Sequence, residues 1–396
     1  MSEVYAKLFV ISDLHCHPKR ESYDDDKTHL FSDKLRSPEK DHPVESLYDV
    51  ISANSLESNL LLCPGDFTDQ CSQQGLISGW QYVKEIANAL NCKEIIATLG
   101  NHDVDSRNKN ASYSFEIAKK IKQDFPLKNS EIGSFWDKGY TFVEKDNVQI
   151  LVLNTAHYHT HSIAGKENPT VKGKIDKGSI EEIDKYLHQF ENESRIKILL
   201  CHHHPVQHSR GELGEHDFIE NGDELIDVLG KHKYDLVIHG HKHDPWLRYH
   251  RTSTGYEIPI LASGSFSASG QADYIGKFNY FHYIEIKKVN GTVNAKMKTW
   301  EFVSKQGWQV NKSMKFYPYT GFGYTDSENN IAEKIDQYLS AQNGTLTMWD
   351  NIVSHIPELE FLTPDKIDAL ERILSSKKIL TNPEIGFKPK HCYKDE

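Results

Sequence analysis

Five short clusters of Asp, Asn and His, each placed directly after an apolar run, constrain this chain more than any other feature. The most informative is Leu99-Gly100-Asn101-His102-Asp103, which closes the apolar stretch 95–99. A strand that ends in Gly, then an amide, an imidazole and a carboxylate, is how open α/β sheets present a site at their carboxyl edge. The others are Asp13-Leu14-His15-Cys16-His17 after residues 6–12 and Pro64-Gly65-Asp66-Phe67-Thr68-Asp69 after 59–63. Cys201-His202-His203-His204-Pro205 follows 195–200, and His239-Gly240-His241-Lys242-His243-Asp244 follows 235–238. Between these runs lie stretches with helical spacing, such as Val83, Ile86, Ala87 and Leu90, or Ile180, Ile183 and Leu187. That β-α-β rhythm implies right-handed crossovers, which gather the strand tips on one edge.

The rest of the chain supplies a frame for these clusters. Apolar residues make up 38% of the 396 and charged residues 26%, the balance of a soluble globular protein with a full core. Further strands are expected at 149–153, 258–262 and 280–286, with another candidate near 293–303, and helices at 46–54, 112–122, 179–190 and 223–229. Residues 18–44 are polar and contain Asp24-Asp25-Asp26, which reads as an insertion with a solvated acidic face. His157, His159 and His161 read as exposed loop histidines. From Lys305 onward the pattern turns aromatic and Gly-punctuated, then helical, with Thr363-Pro364 as a helix start. The expected division is therefore a domain over 1–304 and a C-terminal accessory region over 305–396.

Charge and cysteine usage narrow the partners. A net charge of -11 repels polyanions, so nucleic acid and anionic membrane are disfavoured except at a local positive site. No run approaches the roughly 20 apolar residues of a membrane span, and residues 1–7 lack the pattern of a secretory signal. The six cysteines form no CxxC pair or regular framework. Reduced thiols and a cytoplasmic location are the expectation.

The chemistry lies in the excess of histidine, 22 residues concentrated at the strand tips. Asp13, His15, Asp66, Asn101, His203, His241 and His243 offer oxygen and nitrogen donors without thiolate, which suits Mn, Fe, Zn or a related divalent ion. Seven donors exceed one tetrahedral site and suit two ions sharing a carboxylate, for which Asp66 is the choice. Two ions roughly 3.5–4 Å apart acidify a shared water and neutralise a phosphoryl group under in-line attack. His102 is then placed to act as general acid, with Asp103 orienting its ring, and Asn101 and His102 are expected to contact substrate.

Asp13-x-His15, Gly65-Asp66-x-x-Asp69, Gly100-Asn101-His102-Asp103, His203-x-Pro205 and Gly240-His241-x-His243 together resemble, in order, the motifs of calcineurin-like metallophosphoesterases. The resemblance runs from about Lys7 to about Ser265. It implies a four-layer α/β/β/α sandwich, with Asp13, His15, Asp66 and His243 on one metal and Asp66, Asn101, His203 and His241 on the other. His203 is chosen because the family places that ligand two residues before proline, with His202 and His204 as the alternatives in the same run. The activity implied is phosphomonoester or phosphodiester hydrolysis, and the triple-His-Pro run is most similar to the cyclic-nucleotide phosphodiesterase branch. The expected function is hydrolysis of a small phosphodiester or nucleotide. A metal-dependent DNA nuclease is the alternative, a non-catalytic scaffold on the same fold the second, and the C-terminal region is a candidate oligomer contact.

Overall fold

The computed structural model describes residues 3–18, 28–32, 36, 38–106, 111–122, 124–160, 172–190, 194–207, 218–269, 278–310, 315–342 and 346–395. Its apolar runs are strands buried on both faces, as expected of sheets covered on each side. The first sheet holds β1 (Glu3–Val10), β2 (Leu60–Cys63) and β3 (Glu94–Ala97), continued by β10 (Asn279–Val289), β11 (Thr292–Val303), β12 (Gly307–Gln309) and β13 (Tyr319–Phe322). The second holds β4 (Tyr140–Lys145), β5 (Val148–Leu153), β6 (Ile196–Leu200), β7 (Leu236–His239), β8 (Trp246–Arg251) and β9 (Glu257–Ala262). Strand orders are β12-β11-β10-β1-β2-β3, with β13 also on β11, and β4-β5-β6-β7-β9-β8.

Helices close the outer faces. α1 (Pro43–Asn54) and α2 (Gln73–Ala89) bury Leu47, Val50, Leu76, Trp80 and Val83 in the core of the first sheet, with the shorter α3 (Glu116–Lys120) and α4 (Phe135–Lys138) following. α5 (Lys177–Leu187) and α6 (Gly222–Lys231) pack Ile180, Ile183, Leu225 and Leu229 on the second sheet. Alternation within β5 shows the layering. Leu151 and Leu153 join the α5–α6 core, whereas Ile150 and Val152 face the other way into the shared core. The layers are helix, sheet, sheet, helix.

β1-β2-β3 and β5-β6-β7-β9 are parallel runs, so their carboxyl ends share an edge and carry all five clusters there. Among the strands up to residue 303, two escaped sequence reading, β4 and β8. Both are edge strands with polar residues interleaved, and neither shows a continuous apolar run. The helix expected at 112–122 is shorter, because the Ala111 amide donates to Asp105 and the Asp105 amide to the Ser114 carbonyl, tying that end into a loop.

The boundary expected at 304/305 falls later. β12 and β13 extend the first sheet, and Trp308, Phe316 and Phe322 are buried in its core. Beyond them lies a separate core built from α7 (Glu328–Ala341), β14 (Leu346–Met348), α8 (Trp349–His355), α9 (Pro364–Ser376), β15 (Ile379–Asn382) and β16 (His391–Lys394). The strands order as β14-β16-β15, and the whole is a winged helix-turn-helix with β15–β16 as its wing. It rests directly on the two-sheet sandwich. Tyr317 Oη donates to Asp368 of α9 (2.6 Å), Gly321 N to the Leu362 carbonyl (2.8 Å), and the wing residue Phe387 packs on Tyr317.

Candidate metal centre

Backbone conformation gathers the polar side chains. Asp13 (φ +54°), His15 (+48°), Asp66 (+55°), His241 (+82°) and His243 (+53°) all occupy the left-handed region that side chains with a Cβ rarely adopt. Each costs on the order of 1–2 kcal/mol and persists only where the surroundings hold it. Five such residues at adjacent strand tips curl the chain so that their side chains converge. Two glycines make room. A Cβ on Gly100 would lie 2.1 Å from Asp66 Oδ1, and one on Gly240 would lie 2.3 Å from Asp13 Oδ2.

Three groups of donors at these tips have ligand atoms close enough to hold one ion: Asp13, His15 and His243; Asp66, His202 and His241; and His15, Asp69 and His102. In the first, His243 Nε2 is 3.2 Å from Asp13 Oδ1 and 3.0 Å from His15 Nε2. In the second, Asn101 Oδ1 is 3.0 Å from His202 Nε2 and 2.9 Å from His241 Nδ1. Asp66 joins these two. Its Oδ1 accepts the His102 amide (2.8 Å), so Oδ2 alone faces both groups, 3.6 Å from His15 Nε2 and 3.3 Å from His202 Nε2.

Protonation favours a cation here. Against burial, His15 and His243 hold the Asp13 carboxyl well below its usual range, and His202 and His102 do the same for Asp66. Burial pushes His241 well down and His243 to about 4, leaving both rings neutral with lone pairs to offer. His202 moves the other way, to about 9, because the charge on Asp66 outweighs its burial. Ionised carboxylates, an amide oxygen and imidazoles, with no thiolate among them, fit hard or borderline divalent ions.

Two expectations are corrected. His203 was chosen as ligand, but its Nδ1 bonds Thr155 Oγ1 (2.7 Å), and it is His202 that stands beside Asp66 and Asn101. Both rings lie against His241, so the polar partners rather than the side of the chain distinguish them. Asp103 was expected to orient His102. Instead its carboxylate accepts the amides of Asp66 (2.8 Å), Gly100 (2.9 Å) and Thr68 (3.1 Å) and braces the loops after β2 and β3. Burial, then the charge of Asp66, raises it to about 7.

The carboxylate beside His102 is Asp69, whose Oδ1 is 3.0 Å from Nδ1. Against the loss of water around the ring, Asp66 and Asp69 lift His102 to about 9. Asp69 stood in the sequence motif without a role, and its spacing from Asp66 was the available signal. His159 is buried rather than exposed, bonded through Nε2 to the Lys172 carbonyl (2.8 Å), and His157 stacks on Phe115; His161 lies outside the described residues.

Comparison with known proteins decides the family. The sequence family described as calcineurin-like phosphoesterase matches residues 6–245, more than half of the chain. The chain belongs to that family. This phosphoesterase also matches, over residues 320–376, the domain described as wHTH-Calcineurin_assc, where the winged helix was found. No curated protein matches it. Among solved structures it is similar to a dimetal phosphatase from Danio rerio (11% identity, 76% of this chain and 97% of that chain, TM-score 0.49). It is also similar to GAP50, the anchor in the inner membrane complex of Plasmodium (12% identity, 76% and 86%, TM-score 0.39), and to Chaetomium thermophilum Vps29 (10% identity, 77% and 96%, TM-score 0.30). As a member of the family, the phosphoesterase is a phosphoric ester hydrolase with His and Asp clusters able to hold metal. Among the described residues, no helix is long and apolar enough to cross a membrane.

Proposed function

We propose that this phosphoesterase hydrolyses a small phosphodiester at two divalent ions of the Mn, Fe or Zn class. Asp13, His15, Asp66 and His243 would hold one, and Asp66, Asn101, His202 and His241 the other. The observation that carries the reading is Asp66 Oδ2, set between the two donor groups while Oδ1 is fixed by the His102 amide. When bound, such ions supply positive charge for the phosphoryl oxygens and lower the pKa of water.

The protein's own groups do the remaining work. His102, drawn toward the protonated form by Asp66 and Asp69, donates a proton from Nε2 to the departing alkoxide. Asp69 keeps Nδ1 in a fixed direction throughout. Asn101 turns Oδ1 toward His202 and His241, which leaves its amide nitrogen to donate to a phosphoryl oxygen. All six cysteines are buried and unpaired, in keeping with a reducing compartment such as the cytoplasm.

The test is turnover of bis-p-nitrophenyl phosphate and of p-nitrophenyl phosphate by protein loaded with each metal in turn. Faster cleavage of the diester is expected. No turnover of either ester with Mn, Fe, Zn, Ni or Co would overturn the reading, and faster cleavage of the monoester would overturn its diester half.

A further inference from the structure

A further convergence of donor atoms lies away from the strand tips, on the outer helical layer. Asp184 and His188 stand one turn apart at the end of α5, and His232 follows the last residue of α6. One ligand atom from each of the three lies within 4.8 Å of the others. His232 Nε2 is 2.6 Å from Asp184 Oδ1, and His188 Nε2 is 3.7 Å from that same oxygen. The two rings meet edge to face at 4.9 Å. His232 is buried, and its carbonyl accepts Lys197 Nζ (3.1 Å) near the start of β6. The cluster therefore sits by the amino ends of the strands, at the end of the sandwich opposite the metal centre.

A cation already stands among these donors. Lys231 Nζ donates to Asp184 Oδ1 (3.1 Å), to Asp184 Oδ2 (3.0 Å) and to His188 Nε2 (3.0 Å). An ammonium has donors and no acceptor, so His188 turns the lone pair of Nε2 toward it. We infer that the cluster is a further metal site, where a divalent ion of the zinc class replaces the Lys231 ammonium and is held by Asp184, His188 and His232.

Donor chemistry selects the ion. Two imidazoles and one carboxylate suit zinc, whereas magnesium and calcium take oxygen ligands. In a tetrahedral site with zinc bonds of about 2.0–2.1 Å, neighbouring ligand atoms lie about 3.3 Å apart. The two distances to Asp184 Oδ1 fall on either side of that value, so small side-chain rotations close the site. Water completes the fourth position, since the side chains of Asp184 and His188 are open to solvent on one side. His232 offers the lone pair of Nε2 by carrying its proton on Nδ1. The Lys231 side chain is flexible and 46% exposed, so its ammonium leaves for water at little cost. A bound ion ties α5 to α6, two helices that already pack Ile183 and Leu229 in one core.

Equilibrium dialysis of the full chain against about 1–100 μM zinc, with bound metal counted per chain, tests this. His188→Ala and Asp184→Asn are expected to bind one zinc fewer than the parent, with circular dichroism and nitrophenyl ester turnover unchanged. Because the count is a difference between parent and variant, it does not depend on how many ions the strand tips hold. Lys231→Gln removes the competing ammonium and should take up that zinc about tenfold more tightly than the parent. Zinc should also raise the thermal midpoint of the parent more than that of His188→Ala. Equal zinc counts in the parent and His188→Ala overturn the inference and leave the cluster an ion pair only. A Lys231→Gln chain that binds zinc no more tightly than the parent overturns it too.

Discussion

His202 and His203 carry the same side chain on adjacent positions, both rings pack on His241, and their polar partners differ. The His202 ring faces Asp66 and Asn101, while His203 bonds Thr155 and packs where Gly173 leaves room for it; a Cβ at Gly173 would come within 2.7 Å of the ring. His202→Ala is accordingly expected to lose one of two bound metals and at least about 100-fold in turnover. His203→Gln should keep both metals and lose about 1–2 kcal/mol of stability from its buried hydrogen bond. Metal analysis of the two purified variants, with denaturant titration of the second, separates them. Asp69 offers a second test at this scale. His102 must be protonated to act as an acid, so activity falls as pH rises through its pKa. Removing the neighbouring anion lowers that pKa. Asp69→Asn should therefore move the basic limb of the pH–rate profile to lower pH and reduce kcat about 10–100-fold. An unmoved limb would assign Asp69 no part in His102 protonation.

Strands and turns set those residues in place, and here small changes act at a distance. Gly100→Ala forces a Cβ to within 2.1 Å of Asp66 Oδ1 and is expected to abolish metal retention while circular dichroism stays that of the parent. At the end of the sandwich opposite the metal centre, Lys288 of β10 reaches across to Asp235, just before β7 (2.7 Å), and to the Arg195 carbonyl (3.0 Å). Both side chains are buried, and this pair ties one sheet to the other. Lys288→Met leaves the buried carboxylate without its ammonium, with the Lys197 amide (2.8 Å) still donating to it, and should cost about 3–5 kcal/mol. Burial already raises the Asp235 pKa, and losing the ammonium raises it further. A carboxyl group whose folded pKa exceeds its unfolded value holds its proton more tightly when folded. Stability is then lost as pH rises through that folded pKa, so the variant's deficit should be larger at high pH than at low. Urea titrations across the pH range read this directly. Strands such as β2, β6 and β7 were legible because burial on both faces demands unbroken apolar runs. β4 and β8 were not, because an edge strand with a half-polar pattern resembles a loop.

The whole molecule joins a metal-binding sandwich to a winged helix, and its charge argues about partners. Between residues 320 and 376 there are ten Asp and Glu against three Lys and Arg. α9, the helix that would enter a DNA groove, presents Asp365, Asp368 and Glu371, and both α9 and the wing contact the catalytic sandwich at Tyr317. Phosphate recognition needs the opposite sign. The full chain is expected to show no retardation of duplex DNA even at low salt, and metal-dependent DNA degradation should be absent. The late domain boundary yields a further expectation. Ending the chain at residue 304 removes Trp308, Phe316 and Phe322 from the core, where each large aromatic is worth about 3–5 kcal/mol. Their sum is comparable to the whole stability of a domain, so that truncation should not fold. Ending it at residue 325 keeps the first sheet complete and should yield soluble protein that binds metal.

Taken alone, the order and chemistry of the residues determined the layered α/β class and the convergence of Asp13, His15, Asp66, Asn101, His241 and His243, because apolar runs and the polar tips that follow them are local properties. Three matters were decided only by the folded chain: which histidine of the 202–204 run stands beside Asp66 and Asn101, which carboxylate stands beside His102, and where the first sheet ends. Each depends on a contact between segments distant in sequence, made by a side-chain direction or strand pairing that no local pattern records.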